Sequence, residues 1–396
     1  MLEQYRDQVY RCTRCGTCRA KYTTESVNPA FLVCPMREHT GGFEHYFARG
    51  MIQIARGILE GDLRYSPALI GALYTCMGCR SCTVHCGMIL PDGSWMLEPT
   101  EIVRAMRQDI VSLQMEPMVL QEVDENVRKT HNPMGLAAEK RVEWAADLDL
   151  PKKGDTVYFA GCYGSYRYPE TAKATVGILK KGGLNIAYLG EEEWCCGMTQ
   201  VWDGNIPSAK EVMVHNWEVL RASGAKKVIA SCAECYHVLK TVSPGLLGEK
   251  PSFEVLHISE VVSDLLEKGW VKLGQKINKV MTYHDPCFLG RYEKVYDPPR
   301  QVLKAIKGAT LVEMLRNRVS AWCCGSGGGE VVYRLVPTVA METAEDRISE
   351  AKHAGAEVVV TTCPHCANVL VPAGNEVGIE VRDFSAIVAK AMGLKV

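Results

Sequence analysis

Eighteen cysteines are the residues of this 396-residue chain that are best suited to do chemistry. All of them fall into recurring spacings: eight lie before residue 90, and the other ten form two sets of five in the C-terminal half. A folded C-x2-C turn can place two soft sulfur ligands on one small metal core, which is what an iron–sulfur cluster requires. The spacing therefore predicts an electron-carrying iron–sulfur protein with four metal sites.

The first eight cysteines comprise two C-x2-C-x2-C runs, each with a more distant fourth cysteine. In two-cluster ferredoxins the fourth cysteine of each run ligates the other cluster. This rule predicts one cubane [4Fe–4S] cluster held by Cys12, Cys15, Cys18 and Cys86. It predicts a second cubane held by Cys76, Cys79, Cys82 and Cys34. Structural zinc is the alternative, because paired C-x2-C turns also bind zinc, although three cysteines in one turn are unusual for it.

The ten C-terminal cysteines repeat one arrangement, with Trp-Cys-Cys-Gly at 194–197 and again at 322–325. The first set is Cys162, Cys195, Cys196, Cys232 and Cys235. The second set is Cys287, Cys323, Cys324, Cys363 and Cys366. Five thiolates are one more than a cubane uses, and adjacent cysteines could reach two irons of one core. One cysteine of each set could instead be a small buried apolar residue, but the recurrence favours two five-thiolate sites, in which Cys196 and Cys324 are also candidate catalytic residues.

Alternating strands and helices must position these ten cysteines. Runs of β-branched and aromatic residues over 155–161 and 278–284 lead into the first cysteine of each set. Helical patterns cover 169–182, 206–222 and 259–267 in the first copy, and 299–306, 335–353 and 383–391 in the second. Such alternation indicates α/β domains with mostly parallel sheets, in which sites lie at the carboxyl ends of the strands. No G-x-G-x-x-G motif opens a helix after a strand, so no nucleotide site is predicted.

The remaining sequence divides into a cysteine-rich N-terminal unit and a connector. A helix is expected over about 43–59, and proline-containing bends bound the second half of the unit. The connector is expected to form two helices, the second opened by Pro117. The predicted units are 1–98 (a helix-rich two-cluster ferredoxin module), 99–151 (the connector), 152–273 and 274–396 (two tandem α/β, Rossmann-like domains). The predicted fold class is α+β for the whole chain.

Composition excludes several functional classes. Lys and Arg number 45 against 46 Asp and Glu, so no net field favours nucleic acid or an anionic membrane surface. The sequence contains no run of about 18 apolar residues, so no membrane-spanning helix is expected. The N-terminus lacks the apolar segment of a signal peptide. A cytoplasmic, reducing compartment is therefore expected, where cysteines serve metals or catalysis more often than disulfides.

The C-terminal motifs carry a family resemblance. Cys-x32-Cys-Cys-Gly-x34-Cys-x2-Cys at 162–235 and Cys-x35-Cys-Cys-Gly-x37-Cys-x2-Cys at 287–366 resemble the two CCG domains of heterodisulfide reductase. The N-terminal module resembles that enzyme's ferredoxin subunit, although Cys18 to Cys34 is longer than the compact spacing and Cys86 precedes glycine. The whole chain thus resembles the fused, single-chain form of the catalytic subunit.

The resemblance implies a noncubane [4Fe–4S] cluster on each complete five-cysteine set, with a disulfide substrate cleaved between them. It also allows a subunit that only relays electrons, as in the benzoyl-coenzyme A reductase assembly, and leaves a zinc-stabilised scaffold as a remote alternative. The implied partners are a flavoprotein or another iron–sulfur subunit of a complex, and a disulfide or thiol substrate is possible.

Several residues beside the cysteines are candidates for supporting roles. Disulfide reduction consumes protons, so His284 and His365 are candidate catalytic donors, and hydrogen bonding to cluster sulfur is the alternative for each. Trp194 and Trp322 either shield the clusters from water or are core residues. Arg291 either pairs with an anionic substrate or forms a surface ion pair.

Overall fold

The computed structural model describes residues 1–22 and 30–395, and it begins with a helix-rich module that carries the first eight cysteines. Two short antiparallel strands, β1 (Ala20–Tyr22) and β2 (Ala30–Leu32), form its sheet. Its helices are α1 (Arg6–Arg11), α2 (Pro35–His39), α3 (Ala48–Glu60), α4 (Pro67–Tyr74) and α5 (Ser81–Val84). The helix expected from about residue 43 begins only at Ala48, because Glu44–Tyr46 form a 3-10 turn and Phe47 is extended.

The connector forms the two expected helices, α6 (Pro99–Ser112) and α7 (Met118–Thr130). Arg107 on α6 is fully buried and ties the connector to both of its neighbours. Its guanidinium donates to the carbonyls of Leu73 and Cys76 in the N-terminal module, and to the carbonyl of Trp202 in the next domain. A charge-assisted donor with three backbone acceptors holds these units in one relative position.

Two four-stranded parallel sheets follow, and they share one topology. The strands of the first are β3 (Thr156–Phe159), β4 (Ile186–Ala187), β5 (Lys227–Ala230) and β6 (Glu254–His257), in the order β4-β3-β5-β6. Those of the second are β7 (Val280–Tyr283), β8 (Thr310–Val312), β9 (Val358–Thr361) and β10 (Glu380–Asp383), in the order β8-β7-β9-β10. The inner strands β3, β5, β7 and β9 are buried beyond their first residues, as expected for parallel strands covered by helices on both faces. The predicted fold class is confirmed.

Helices flank both sheets. In the first repeat they are α8 (Gly161–Tyr166), α9 (Pro169–Lys181), α10 (Met198–Asp203), α11 (Ile206–Ala222), α12 (Ala233–His237), α13 (Ser243–Leu247) and α14 (Ile258–Glu267). In the second they are α15 (Asp297–Lys304), α16 (Val331–Leu335), α17 (Pro337–His353), α18 (Pro364–Val377) and α19 (Phe384–Ala391). Helix α15 starts two residues before the expected 299, because both of its prolines fit the first turn, where no N–H is needed.

The two α/β repeats pack through reciprocal contacts. Helix α9 packs on α19, and α15, the counterpart of α9, packs on α14, the counterpart of α19. Thr175 on α9 donates a buried hydrogen bond to Ser385 on α19. Reciprocal contacts between equivalent elements indicate an approximate two-fold axis between the repeats. Equivalent residues near this axis therefore face each other.

Trp202, at the end of α10, is wedged between the N-terminal module and the second repeat. A Cβ built on Gly78 would lie 2.7 Å from its ring, and one on Gly328 would lie 2.3 Å from it. Both positions therefore need glycine so that the indole can fill the space between three units.

Helix lengths bear on membrane insertion. The helices α11 and α17 have 17 residues each, and a membrane-spanning helix needs about 20 mostly apolar residues. Within residues 1–22 and 30–395, no helix combines the length and the apolar composition needed to cross a membrane.

Candidate metal centres

The first eight cysteines form two adjacent groups. Cys12, Cys15, Cys18 and Cys86 line one small cavity. Cys34, Cys76, Cys79 and Cys82 line a second. Cys82 also reaches the wall of the first cavity, so the groups are neighbours. The structure thus brings together the two sets of four that the ferredoxin rule groups, each with its fourth cysteine taken from the other run. We refer to them as the outer group (Cys12 to Cys86) and the inner group (Cys34 to Cys82).

Exposure distinguishes these two groups. Of the eighteen cysteines, all of which lie in the described ranges, only Cys15 of the outer group is exposed. Hydrogen bonds from Thr17 lower the pKa of the Cys15 thiol. In the inner group, burial raises the pKa of Cys34 well above its usual range, and the neighbouring Cys79 and Cys76 add to the effect. The outer group is therefore the one that a partner protein can approach.

The first five-cysteine set gathers at the carboxyl ends of β3, β4 and β5, where the sequence predicts a site. Hydrogen bonds between thiols link Cys162 to Cys195, Cys195 to Cys196, Cys196 to Cys235, and Cys235 to Cys232. All five thiols therefore form one connected, buried group, which includes Cys196.

The second set has the same arrangement after β7, β8 and β9. The Cys324 thiol forms hydrogen bonds with Cys323 and Cys366, and the Cys366 thiol forms one with Cys363. Burial, and then the nearby thiols of Cys323 and Cys324, raise the pKa of Cys287 well above its usual range. The fifth thiol is thus beside the other four.

These buried thiol groups fit a metal core with positive charge. Hydrogen bonds with Cys324 and Cys363, followed by burial, raise the pKa of Cys366 far above its usual range, because crowded buried thiols resist ionisation without a counter-charge. Metal ligands must be deprotonated, and iron provides the missing positive charge. An iron–sulfur cluster bound there supplies one-electron redox chemistry. All eighteen cysteines are free of disulfides, so every thiol is available as a ligand.

Two thiol contacts connect the groups across domain boundaries. Cys79 of the inner group hydrogen-bonds to Cys323 of the second repeat. Cys232 of the first repeat hydrogen-bonds to Cys363, its equivalent in the second. The four groups therefore lie in a row that runs from the outer group through the inner group and the second repeat to the first repeat.

Arg291 lies at the junction between the inner group and the second repeat. Its Nε donates to the Cys79 carbonyl at 2.5 Å, and its Nη1 donates to the Ala321 carbonyl at 2.6 Å. Burial opposes its charge, but the thiols of Cys79, Cys287 and Cys323 raise the pKa of Arg291 above its usual value. Only 3 % of the residue is exposed. The expectation of a surface ion pair is therefore wrong, because this arginine joins two interior sites, and a contact with an anionic substrate stays a prediction.

His284 is buried, and one of its ring nitrogens lies with the thiols of Cys324 and Cys366 in a group of potential ligand atoms within 4.8 Å of one another. Its Nδ1 accepts a hydrogen bond from Nε of Arg347 at 3.1 Å, which leaves the proton on Nε2. Burial, with the charge of Arg347, lowers the pKa of His284 to about 3. A neutral imidazole suits hydrogen bonding to cluster sulfur better than proton donation, and its role stays a prediction.

A polar patch, of which the sequence analysis named only His365, lies where the two five-cysteine groups meet. Glu234 and His365 occupy equivalent positions, each directly before the last cysteine of its set, and their side chains approach to 3.4 Å (Oε2 to Nε2). The Tyr163 ring packs on the His365 ring with centroids 4.0 Å apart, and the Gly329 N–H donates to Glu234. Aligning the repeats would have placed an acid opposite a histidine, which is the sequence feature that could have revealed the pair.

The two tryptophans before the Cys-Cys pairs differ in environment. Trp322 is buried beneath the guanidinium of Arg316, which lies 3.8 Å from its ring centroid. Trp194 is only half-buried and stacks between the rings of His131 and His215, at 3.6 and 3.5 Å. Trp322 is therefore a core residue, whereas Trp194 covers the first repeat's site at the protein surface.

Family models match the regions that contain these groups. The cysteine-rich CCG domain matches residues 156–240 and 281–371. The 4Fe-4S dicluster domain matches residues 8–89. These ranges contain all eighteen cysteines, so the coarse prediction of iron–sulfur clusters is supported for both halves of the chain.

Relatives cover almost the same span. The chain is 37 % identical over 326 residues to a dihydromethanophenazine:CoB--CoM heterodisulfide reductase subunit of Methanosarcina acetivorans, covering 81 % of this chain and 78 % of that one. It is 34 % identical to the same subunit of Methanosarcina barkeri, over 97 % and 94 % of the two chains. It is 29 % identical to the "EtfAB:quinone oxidoreductase" of Syntrophomonas wolfei, over 98 % of this chain but 58 % of that one.

A solved structure supports the fold alone. A hypothetical protein from Helicobacter pylori superposes with a TM-score of 0.59 at 10 % identity, and the match covers 88 % of this chain and 68 % of that one. Family membership is shown by the sequence identity above 30 % over most of both chains, together with the matched domain models. The chain belongs to the family of iron–sulfur heterodisulfide reductase subunits that combine a 4Fe-4S dicluster domain with two CCG domains.

Proposed function

We propose that this chain is the electron-transfer subunit of a heterodisulfide-reductase-like complex. The outer and inner groups would each hold a cubane [4Fe–4S] cluster, and the two five-cysteine sets would each hold a CCG-type, noncubane cluster. The observation that carries the proposal is the row of thiol groups, which Cys79–Cys323 and Cys232–Cys363 make continuous. Because electron tunnelling requires close approach, contiguous sites with a single exposed end suit a relay.

The proposal assigns a role to each predicted unit of the chain. Residues 1–98 would receive electrons from a flavoprotein or iron–sulfur partner, because they hold the one exposed cysteine. Residues 99–151 would hold the module in place through Arg107. Residues 152–273 and 274–396 would form the two halves of the interior end.

The polar patch favours a second candidate function, which is reduction of a disulfide by this chain itself. Reduction of a disulfide to two thiols takes two electrons and two protons, so it needs polar side chains between two redox sites. Glu234 and His365 lie beside the contact between Cys232 and Cys363, and His284 lies beside Cys324 and Cys366. The relatives named as heterodisulfide reductase subunits agree with this candidate.

Metal analysis of the anaerobically purified protein tests the four sites. We expect about sixteen irons per chain, four in each site. Cys196→Ser and Cys324→Ser should each remove the paramagnetic signal of one C-terminal centre and leave both cubanes reducible. Ser165→Ala, which alters a buried hydroxyl near the first site, should retain all the iron. Colourless protein that contains zinc would contradict the proposal, and unchanged iron and spectra in both serine variants would exclude five-thiolate sites.

Addition of a disulfide to the reduced protein separates the two candidates. A reductase should release two thiols per two electrons and show a new paramagnetic signal that Cys196→Ser or Cys324→Ser abolishes. A relay subunit should release no thiol and should instead reduce a partner protein.

A further inference from the structure

An open groove of about 570 Å³ lies directly beside the outer cysteine group. Arg14, His45, Arg49, Ile54 and Leu63 are among the residues that line it, and we call it the outer groove. Arg14 and Arg49 also line the cavity of the outer group. The groove and that cavity therefore share a wall only one layer of side chains thick.

The charges of this groove are unbalanced. Arg49 is paired, since its guanidinium meets Glu44 at 2.5 Å and donates to the Arg14 carbonyl at 3.2 Å. Arg14 and Arg11 are exposed, and within the described residues neither guanidinium has an ion-pair partner within 4 Å. Arg14 also has a left-handed backbone (φ 61°), which a non-glycine residue adopts at a cost. Arg14 thus places an unpaired cation next to the one exposed cysteine, Cys15, and Arg11 adds another immediately before Cys12 in the chain.

Apolar side chains complete the surface. Phe43 is 65 % exposed and Leu63 is 41 % exposed, and both lie at the same end of the module as the outer groove. A small apolar contact with a charged rim is typical of transient protein complexes, which depend on electrostatic steering for fast association.

We propose that the outer groove is the docking site of an acidic electron-donor protein whose redox centre is surrounded by carboxylates. The inference rests on the proposed function, because it requires a redox centre on the outer group. One electron passes from the donor's centre to the centre held by Cys12, Cys15, Cys18 and Cys86, and no bond is made or broken. Charge complementarity selects this occupant, since Arg11 and Arg14 would repel a basic donor.

The test is stopped-flow reduction of the full iron-loaded chain by reduced plant-type ferredoxin, an acidic one-electron donor. The double variant Arg11→Glu/Arg14→Glu should lower the second-order rate constant at least about tenfold at low ionic strength. The difference should shrink at about 0.5 M salt, where exposed charges are screened. Phe43→Ser should lower the rate at all salt concentrations, because it removes an apolar contact.

Two small reductants serve as controls on the centres themselves. Photoreduced 5-deazariboflavin is uncharged and should bring the outer-group centre of both wild type and variant to full reduction, whereas cationic reduced methyl viologen should react faster with the variant. Lys272→Glu/Lys276→Glu changes the net charge equally at exposed positions of the linker before β7 and should leave the ferredoxin rate within about twofold of wild type.

Each result has one interpretation. Equal rates for wild type and Arg11→Glu/Arg14→Glu, or an equal fall in the lysine control, would overturn the docking site. The docking site would also be overturned if 5-deazariboflavin reduced the wild-type protein but ferredoxin did not. Wild type that even 5-deazariboflavin fails to reduce would instead refute the proposed function on which the inference rests.

Discussion

Replacement of Arg291 by methionine tests whether one buried charge controls both sites at the junction. The side chain donates to the carbonyls of Cys79 and Ala321, and three thiols from two sites surround its charge. Methionine retains most of the volume but removes both donors and the cation. The variant should therefore alter stability and reduction potential together.

The expected magnitudes follow from these contacts. Each buried carbonyl left without a donor costs about 1–3 kcal/mol, so loss of both donors should lower the free energy of unfolding by about 2–6 kcal/mol. A unit charge about 6 Å from a redox centre, at an effective dielectric constant of about 20, contributes about 2.8 kcal/mol. For one electron this equals about 120 mV. Because a cation stabilises the more negative, reduced state, its loss should lower the potentials of the inner-group centre and of the centre in the second repeat.

Redox titration followed by low-temperature paramagnetic resonance measures both potentials in one sample. Arg291→Lys keeps the charge and loses one donor, so it should destabilise by about 1–3 kcal/mol with a much smaller change in potential. Arg141→Met is a matched control, since Arg141 is equally buried but pairs with Glu193 beside the first repeat. It should leave both potentials within about 20 mV of wild type. Iron-replete Arg291→Met protein whose potentials also stay within about 20 mV would refute this electrostatic argument.

Two further predictions concern the packing of the units. Gly328→Ala would place a Cβ 2.3 Å from the Trp202 ring and should lower stability by about 1–3 kcal/mol in anaerobic thermal unfolding. Gly245→Ala has open space in α13 and should not lower stability. A hydrogen bond to Asp346, against a smaller effect of burial, raises the pKa of His39 above 6.5. Its stabilising contribution, at most about 1 kcal/mol, is complete below pH 6.5 and is lost as the pH rises through the raised value. Urea unfolding at pH 6 and pH 8 should therefore show that the advantage of wild type over His39→Gln shrinks at pH 8, and an increase would contradict the ion pair.

Local patterns in the sequence were sufficient to predict the repeated fold. The strand runs that precede Cys162 and Cys287 are β3 and β7, and α11 covers 206–222 as expected. These elements follow from apolar periodicity and from prolines at helix starts, both of which act over a few residues. Helix boundaries were harder to predict where two patterns competed, as at residues 43–47. There the Glu44 backbone approaches residue 50 so closely that only glycine fits at that position.

Groupings of cysteines were predictable for a related reason. The ferredoxin rule assigns each fourth cysteine to the opposite run, and the structure places Cys86 with Cys12 and Cys34 with Cys76. Parallel strands bring their carboxyl ends to one edge, which gathers each set of five. Whether these groups bind clusters stays a prediction that the iron analysis tests.

Relations between the units could not be predicted from the sequence, because they depend on which surfaces meet. Arg291 is one turn past Cys287, and from the sequence alone a charged arginine is expected at the protein surface. Its burial follows only once the inner group packs against the second repeat. Trp202 likewise has no partner near it in sequence, since Gly78 lies 124 positions before it and Gly328 lies 126 positions after it.

The approximate two-fold axis explains why the polar patch of Glu234 and His365 consists of unlike residues. Positions that are equivalent in the two repeats meet each other near this axis, so two copies of one ionisable residue there would repel each other in a buried site. Glu234 and His365 avoid this conflict because one is an acid and the other a base. This acid–base pair therefore lies where the two five-cysteine sites meet, beside the contact between Cys232 and Cys363.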